Sequence, residues 1–241
     1  MTISEIQSNL PRINPITEIM GIFIDGIHEN LPRRNGFIYL LIGAPGMGKS
    51  SLLLSMFKNN DFYRNKFDNI FLITPLVSFQ SVKKHPFALH DKVFHDLNID
   101  VLENIYQQLL EIKNECINED FPLERSLLIV DDFASELKNV ELIQMLKQFC
   151  IKSRHLGVAL IFTLQSYNLF PLVLRKLVTN ITIFKFKNNK EMELVTSELL
   201  NMKKDEAIEL YRYIFDKSYN HLDVCITNSE FCKNFNKLII T

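Results

Sequence analysis

Phe37-Ile38-Tyr39-Leu40-Leu41-Ile42-Gly43-Ala44-Pro45-Gly46-Met47-Gly48-Lys49-Ser50 is the stretch that decides the fold of this 241-residue chain. Its six leading apolar residues read as a buried strand, and Ser51-Leu52-Leu53-Leu54-Ser55-Met56-Phe57 beyond the glycines reads as a helix. Between them, Gly43 to Ser50 satisfies G-x-x-x-x-G-K-[ST] without gap or mismatch. The plainer alternative is an ordinary glycine-rich turn, but such a turn requires neither Lys and Ser at these offsets nor a strand before and a helix after. In a P-loop, glycines let backbone N–H groups wrap phosphates at a helix N-terminus. Gly43, Ala44, Pro45, Gly46, Met47, Gly48, Lys49, Ser50 and Ser51 are therefore the candidate nucleotide-binding residues. Lys49 would reach the β and γ oxygens of ATP, and the Ser50 hydroxyl would sit on Mg²⁺.

Working outward, further continuous apolar runs at 69–74, 126–130, 157–163 and 180–186 join the first (36–42) as strands. Helical patterns at 49–58, 92–119, 139–154 and 169–178 separate them, which predicts βαβ units and a parallel sheet. Residues 189–200 and 203–217 read as polar helices and 221–240 as a hairpin. Ile16, Ile19, Met20, Phe23, Ile24 and Ile27 have the spacing of an amphipathic helix. The expected organisation is an N-terminal helical extension (1–30), an ATPase core (31–190), and C-terminal helices with a hairpin packed on the core (191–241).

Composition, 47% hydrophobic and 23% charged, excludes disorder and fibrous repeats. No apolar run approaches the ~18 residues that span a bilayer, and the first residues lack a secretory pattern. Cys116, Cys150, Cys225 and Cys232 form no C-x-x-C pair. An intracellular, reduced protein without a membrane span is expected. The net charge of -1 lacks the basic excess that often marks a nucleic-acid binder. Its distribution is uneven: residues 142–190 carry eight Lys or Arg and no carboxylate. Such a block suits a polyanion-facing surface, although solvated surface charge explains most basic runs.

A metal-bound triphosphate needs a carboxylate at the end of a neighbouring strand, and Leu127-Leu128-Ile129-Val130-Asp131-Asp132 has this Walker B form. Asp131 would hold Mg²⁺ through water, and Asp132 stands where many ATPases place a Glu that orients the attacking water. A turn or helix cap is the alternative use of such a pair.

Downstream, Arg154 and Gly157 precede a strand that ends in Thr163-Leu164-Gln165. On this unit and the Asp-Asp Walker B, residues 36–190 resemble the FtsK-HerA superfamily of P-loop ATPases. Within it the resemblance is to the genome-packaging ATPases of large DNA viruses and virophages. It implies a RecA-like core with a mainly parallel sheet flanked by helices. Arg154 would be the arginine finger acting on ATP in the adjacent subunit, and Gln165 the γ-phosphate sensor, so Lys49, Asp132, Arg154 and Gln165 are the candidate catalytic residues. Taken alone, Arg154 reads as a solvated helix-end charge and Gln165 as a polar strand terminus. The resemblance further implies a homo-oligomeric ring of five or six subunits that moves double-stranded DNA into a capsid, with a capsid vertex or portal protein as partner. The site of action would be the host cytoplasm or a viral factory.

Candidate DNA contacts are Lys83 and Lys84 after the second strand and Arg175 and Lys176 near the fifth, each equally readable as surface charge. Asn65-Lys66-Phe67-Asp68 matches the guanine-reading N-K-x-D but falls before the second strand, and no D-x-x-G accompanies it. A kinase, a helicase or other translocase that does not package, and a nucleotide-binding scaffold without turnover are the alternatives. A scaffold would be expected to have lost Lys49, Ser50 or Asp131, and none is lost.

Overall fold

The computed structural model describes residues 23–200 and 202–240. Strands are β1 (Ile38–Ile42), β2 (Asn69–Ile73), β3 (Val93–Phe94), β4 (Ser126–Asp131), β5 (Val158–Leu164), β6 (Asn180–Phe184), β7 (His221–Cys225), β8 (Glu230–Lys233) and β9 (Asn236–Lys237). Helices are α1 (Lys49–Met56), α2 (Leu76–Gln80), α3 (Ile99–Asn118), α4 (Val140–Lys152), α5 (Leu172–Arg175), α6 (Asn189–Val195) and α7 (Lys204–Ile214). Among the described residues the strands form one sheet in the order β3-β2-β4-β5-β1-β6-β7-β8-β9. Pairing is parallel from β3 to β6 and antiparallel from β6 to β9. This is the expected α/β architecture, and no helix of the described residues is long and apolar enough to cross a membrane.

The continuous apolar runs are explained by burial on both faces. Ile38, Leu40 and Ile42 of β1 face α3 and α4 with Leu128, Val130, Leu160 and Phe162. Tyr39 and Leu41 face α1 with Leu127, Ile129, Ala159 and Ile161. The two-residue period of a strand thus feeds two cores.

Several expected boundaries are corrected. The pattern over 92–119 contains the edge strand β3 before the helix, because the Asn98 side chain accepts from Val101 N–H and caps α3 there. Of 169–178 only α5 is helical: a 3-10 turn occupies Tyr167–Leu169, and Pro171 stands at the N-cap of α5. The helix expected within 1–30 is not formed over 23–30; Phe23 bridges Arg34, the Ile24 N–H donates to Arg33 O at 2.7 Å, and Ile24 is buried in the α1-side core. Ile16, Ile19 and Met20 lie outside the described residues. The expected hairpin is a three-strand meander, and through β7 it continues the sheet of the core.

A buried polar chain joins that meander to the core. Tyr39 Oη lies 2.6 Å from Thr182 Oγ1, which donates to Asp223 Oδ1 at 2.6 Å; His221 Nδ1 lies 2.9 Å from the same oxygen, and Phe235 N–H donates to Asp223 Oδ2. Burial, reinforced by the Asp223 carboxylate, holds the Tyr39 phenol well above its ordinary range. Removing the common acceptor would strand several buried donors. Asp223→Ala is therefore expected to cost about 3 kcal/mol of stability, read from denaturant unfolding; a loss near zero would show that the meander does not depend on this chain of bonds.

Candidate active site

The P-loop begins where β1 leaves the core. Gly43 N–H donates to Leu164 O at 3.2 Å, which ties the loop to β5. A Cβ on Gly43 would stand 2.7 Å from Phe184 Cβ, and Gly48 has φ +106, so both positions require glycine. Gly48 is the N-cap of α1 and has no side chain to satisfy the first helical N–H groups, leaving them for an anion. Lys49 Nζ donates to the carbonyls of Gly43 and Ala44. Burial lowers the pKa of its ammonium, Asp132 and Asp131 oppose that shift, and Lys187 adds to it.

Asp131 ends β4 between β2 and β5, and each neighbour supplies a hydroxyl. Thr74, just past β2, donates to Asp131 Oδ2 at 3.1 Å, and Thr163 of β5 donates to Oδ1 at 2.5 Å. The carboxylate is thereby oriented by the strands on both sides. Asp132 takes a left-handed φ of 60°, and its N–H donates to the hydroxyl and the carbonyl of Thr163. The Gln165 amide reaches both oxygens of Asp132, at 3.2 and 3.3 Å.

These groups line one cavity of about 470 Å³, with Pro45, Gly46, Gly48, Lys49, Ser50 and Ser51 on one wall and Asp131, Asp132, Thr163 and Gln165 on the other. Gly43, Ala44 and Met47 shape the loop without lining the cavity. Ser50 and Asp131 offer the hard oxygen donors that Mg²⁺ accepts alongside phosphates and water, so the residues fit that ion. The arrangement could hold a triphosphate at the P-loop, hold Mg²⁺ through Ser50 and Asp131, and present a carboxylate–amide pair to water.

Arg154 is not part of this cavity. It is exposed beyond α4, before β5, whereas Gln165 follows β5. The seven-residue strand between them spans roughly 20 Å. The left-handed Gly36, φ +81, lets Arg154 pack there, since a Cβ would come within 2.9 Å of Arg154 Cγ. A second cavity of about 330 Å³ at that edge is lined by Arg33, Arg34 and Arg154 among others.

The candidate DNA contacts separate. Lys83 and Lys84 are exposed in the segment between α2 and β3, and Lys176 is exposed four residues before β6. Arg175 is engaged within the chain: its guanidinium donates to both Glu198 oxygens at 2.9 and 3.0 Å and to Phe170 O, and lies over the Tyr167 ring. Glu198 is delivered by the π-helical turn Thr196–Leu200. A guanidinium so engaged is not available to a phosphate without breaking that pair. In N-K-x-D, Asp68 accepts from Arg125 N–H and Lys66 donates to Asp25 O, far from the P-loop end of the strands.

Sequence reasoning missed Thr74, Lys187, Ser78 and Tyr219 near the cavity. Thr74 was signalled as the polar residue ending an apolar strand; the others depend on tertiary placement.

Among curated proteins none matches the chain by sequence. Solved structures of similar fold include B204, the DNA-packaging ATPase of Sulfolobus turreted icosahedral virus, at TM-score 0.61 and 18% identity over 86% of this chain and 98% of that one. The genome-packaging NTPase B204 of Sulfolobus turreted icosahedral virus 2 in complex with ATP-γ-S gives 0.58 and 18% over 86% and 99%. The conjugation coupling protein TcpA of pCW3, also with ATP-γ-S, gives 0.54 and 14% over 85% and 59%. The expected likeness to packaging ATPases is thus borne out in the fold, and the match of residues 27–240 to the poxvirus A32 protein family means that this chain belongs to that family.

Proposed function

We propose that this protein is an Mg²⁺-dependent ATPase that drives double-stranded DNA into a viral capsid as a homo-oligomeric ring. The observation that carries the reading is the convergence of Lys49, Ser50, Asp131, Asp132 and Gln165 on one cavity at the ends of β1, β4 and β5. Lys49 and the α1 N-terminus hold phosphates; Ser50 and Asp131 hold Mg²⁺, which supplies charge neutralisation when bound. Asp132, held by Gln165, orients the attacking water. The likeness to B204 packaging enzymes supports DNA as the load, and Lys83, Lys84 and Lys176 supply phosphate-reading charge.

Arg154 serves the next subunit's nucleotide. Its position some 20 Å along β5 from its own Gln165 leaves the neighbour's site as the one it can complete. Asp132 is a methylene shorter than the Glu of many ATPases, and the bond to Gln165 offsets this by fixing the carboxylate.

Lys49→Ala is expected to abolish ATP turnover in a steady-state phosphate-release assay; undiminished hydrolysis would sink the ATPase reading. Arg154→Ala should bind ATP normally yet lose roughly 10³ to 10⁵ in turnover. Mixing it with Lys49→Ala should restore some activity, because an intact P-loop then meets an intact Arg154 across a subunit contact. Normal hydrolysis by Arg154→Ala, or no recovery in the mixture, rejects the trans role. Long duplex DNA should stimulate hydrolysis, and its binding should weaken as salt rises. Salt-insensitive binding, or equal rates with and without duplex, would argue against DNA as the load.

A further inference from the structure

The cavity has a contributor from outside the P-loop core. Tyr219 lies between α7 and β7, in the segment that joins the C-terminal helices to the meander, and it lines the same cavity as Gly46, Lys49 and Asp131. Its ring stands against the P-loop: a Cβ on Gly48 would meet Tyr219 Cδ1 at 3.3 Å. Yet the residue is 69% exposed, an aromatic side chain held at the cavity mouth and not in the core.

The backbone there is unusual and firmly held. Tyr219 has φ +67, a left-handed conformation that costs energy for a bulky residue and persists where the surroundings enforce it. Asn220 donates to Asp216 at 2.7 Å, Asp216 also accepts from Lys233 at 2.7 Å, and Asn234 clamps the next turn by donating to Asn220 and accepting from His221 N–H. These bonds fix the turn from α7, β7 and β8 together. The ring is therefore presented on a rigid mount, which reduces the entropy lost when a ligand stacks on it.

Strand order supplies the direction. Asp131 and Gln165 lie at the ends of β4 and β5, the P-loop leaves β1, and Tyr219 precedes β7, two strands farther on. The γ-phosphate end of a nucleotide belongs near Asp131 and Gln165. Three strand spacings, about 14 Å, separate β5 from β7. A triphosphate laid across the strand ends, with its phosphates on the P-loop, sends its sugar and base toward Tyr219.

Resting on the nucleotide-binding reading above, we infer that Tyr219 is the base-binding residue of this site, stacking its ring on the nucleobase of the bound triphosphate. Stacking uses the π-face that every base has, so the site prefers a base over none and discriminates weakly among bases. Lys49 and Ser50 then recognise the phosphates, and the C-terminal segment recognises what is attached to them.

The test measures equilibrium binding of Mg·ATP, Mg·GTP and inorganic tripolyphosphate to the full chain and its variants by calorimetry. Tyr219→Ala is expected to weaken both nucleotides about tenfold and leave tripolyphosphate unchanged, while Tyr219→Phe retains wild-type affinity for all three. Tyr219→Gly should melt no lower than wild type, because glycine accepts the left-handed backbone, and should still lose the nucleotide preference. Wild-type ATP affinity in Tyr219→Ala, or an equal loss of tripolyphosphate, overturns the stacking role and leaves the ATPase reading standing. Failure of the wild-type chain to bind either ATP or tripolyphosphate overturns both.

Discussion

The parallel register of β1, β5 and β4 is the constraint on which the remainder of this molecule depends. Leu41 pairs with Thr163, and Thr163 pairs with Asp131, so the three strands end level. From that row the chain leaves as a P-loop, as the Thr163-to-Gln165 segment and as an acidic pair. A register slip of one residue would turn each strand's core side chains to the opposite face. The two cores hold the register because they need both faces of the same strands: Leu40, Leu128 and Leu160 on one side, Leu41, Leu127 and Ala159 on the other.

Within that frame the side chains of the site hold one another in place. Thr74 and Thr163 orient Asp131, Gln165 orients Asp132, and the carbonyls of Gly43 and Ala44 hold Lys49. The price of this arrangement is a buried ammonium beside two carboxylates and within reach of Lys187. On the function proposed above, a triphosphate with its metal would change that balance, bringing negative charge to Lys49 and a cation to Asp131. Preorganised dipoles and charges of this kind act where water is partly excluded, and they require little rearrangement at the moment of reaction.

The C-terminal segment is joined to the core twice over. Its first strand adds to β6 by backbone pairing, and Asp223 ties it to Tyr39 through Thr182. Its turn brings Tyr219 against Gly48. One segment thus closes the sheet on the β6 side and contributes to the wall of the nucleotide cavity. The cavity that Arg33, Arg34 and Arg154 line is a separate one from that of the P-loop.

Sequence alone determined the parts whose chemistry is local. Strand, P-loop and helix are consecutive in the chain, so spacing from Gly43 to Ser50 was enough to read them, and the run before Asp131 announced a strand with an acidic end. Alternating apolar runs and helices gave the parallel sheet for the same reason: burial on both faces leaves a continuous apolar signature. The edge strand β3, too short for a pattern, was absorbed into the following helix, and the short α5 was overextended across Pro171. Tertiary structure decided everything that joins distant residues. Arg175 read as a free cation until Glu198, 23 residues later, took its guanidinium. Asp131 acquired its two hydroxyl donors from Thr74 and Thr163, which are neighbours only because β2 and β5 flank β4. Tyr219 reached the P-loop because β7 pairs with β6 and brings the preceding turn to the strand ends, a placement that residue spacing cannot encode because it depends on which strands pair.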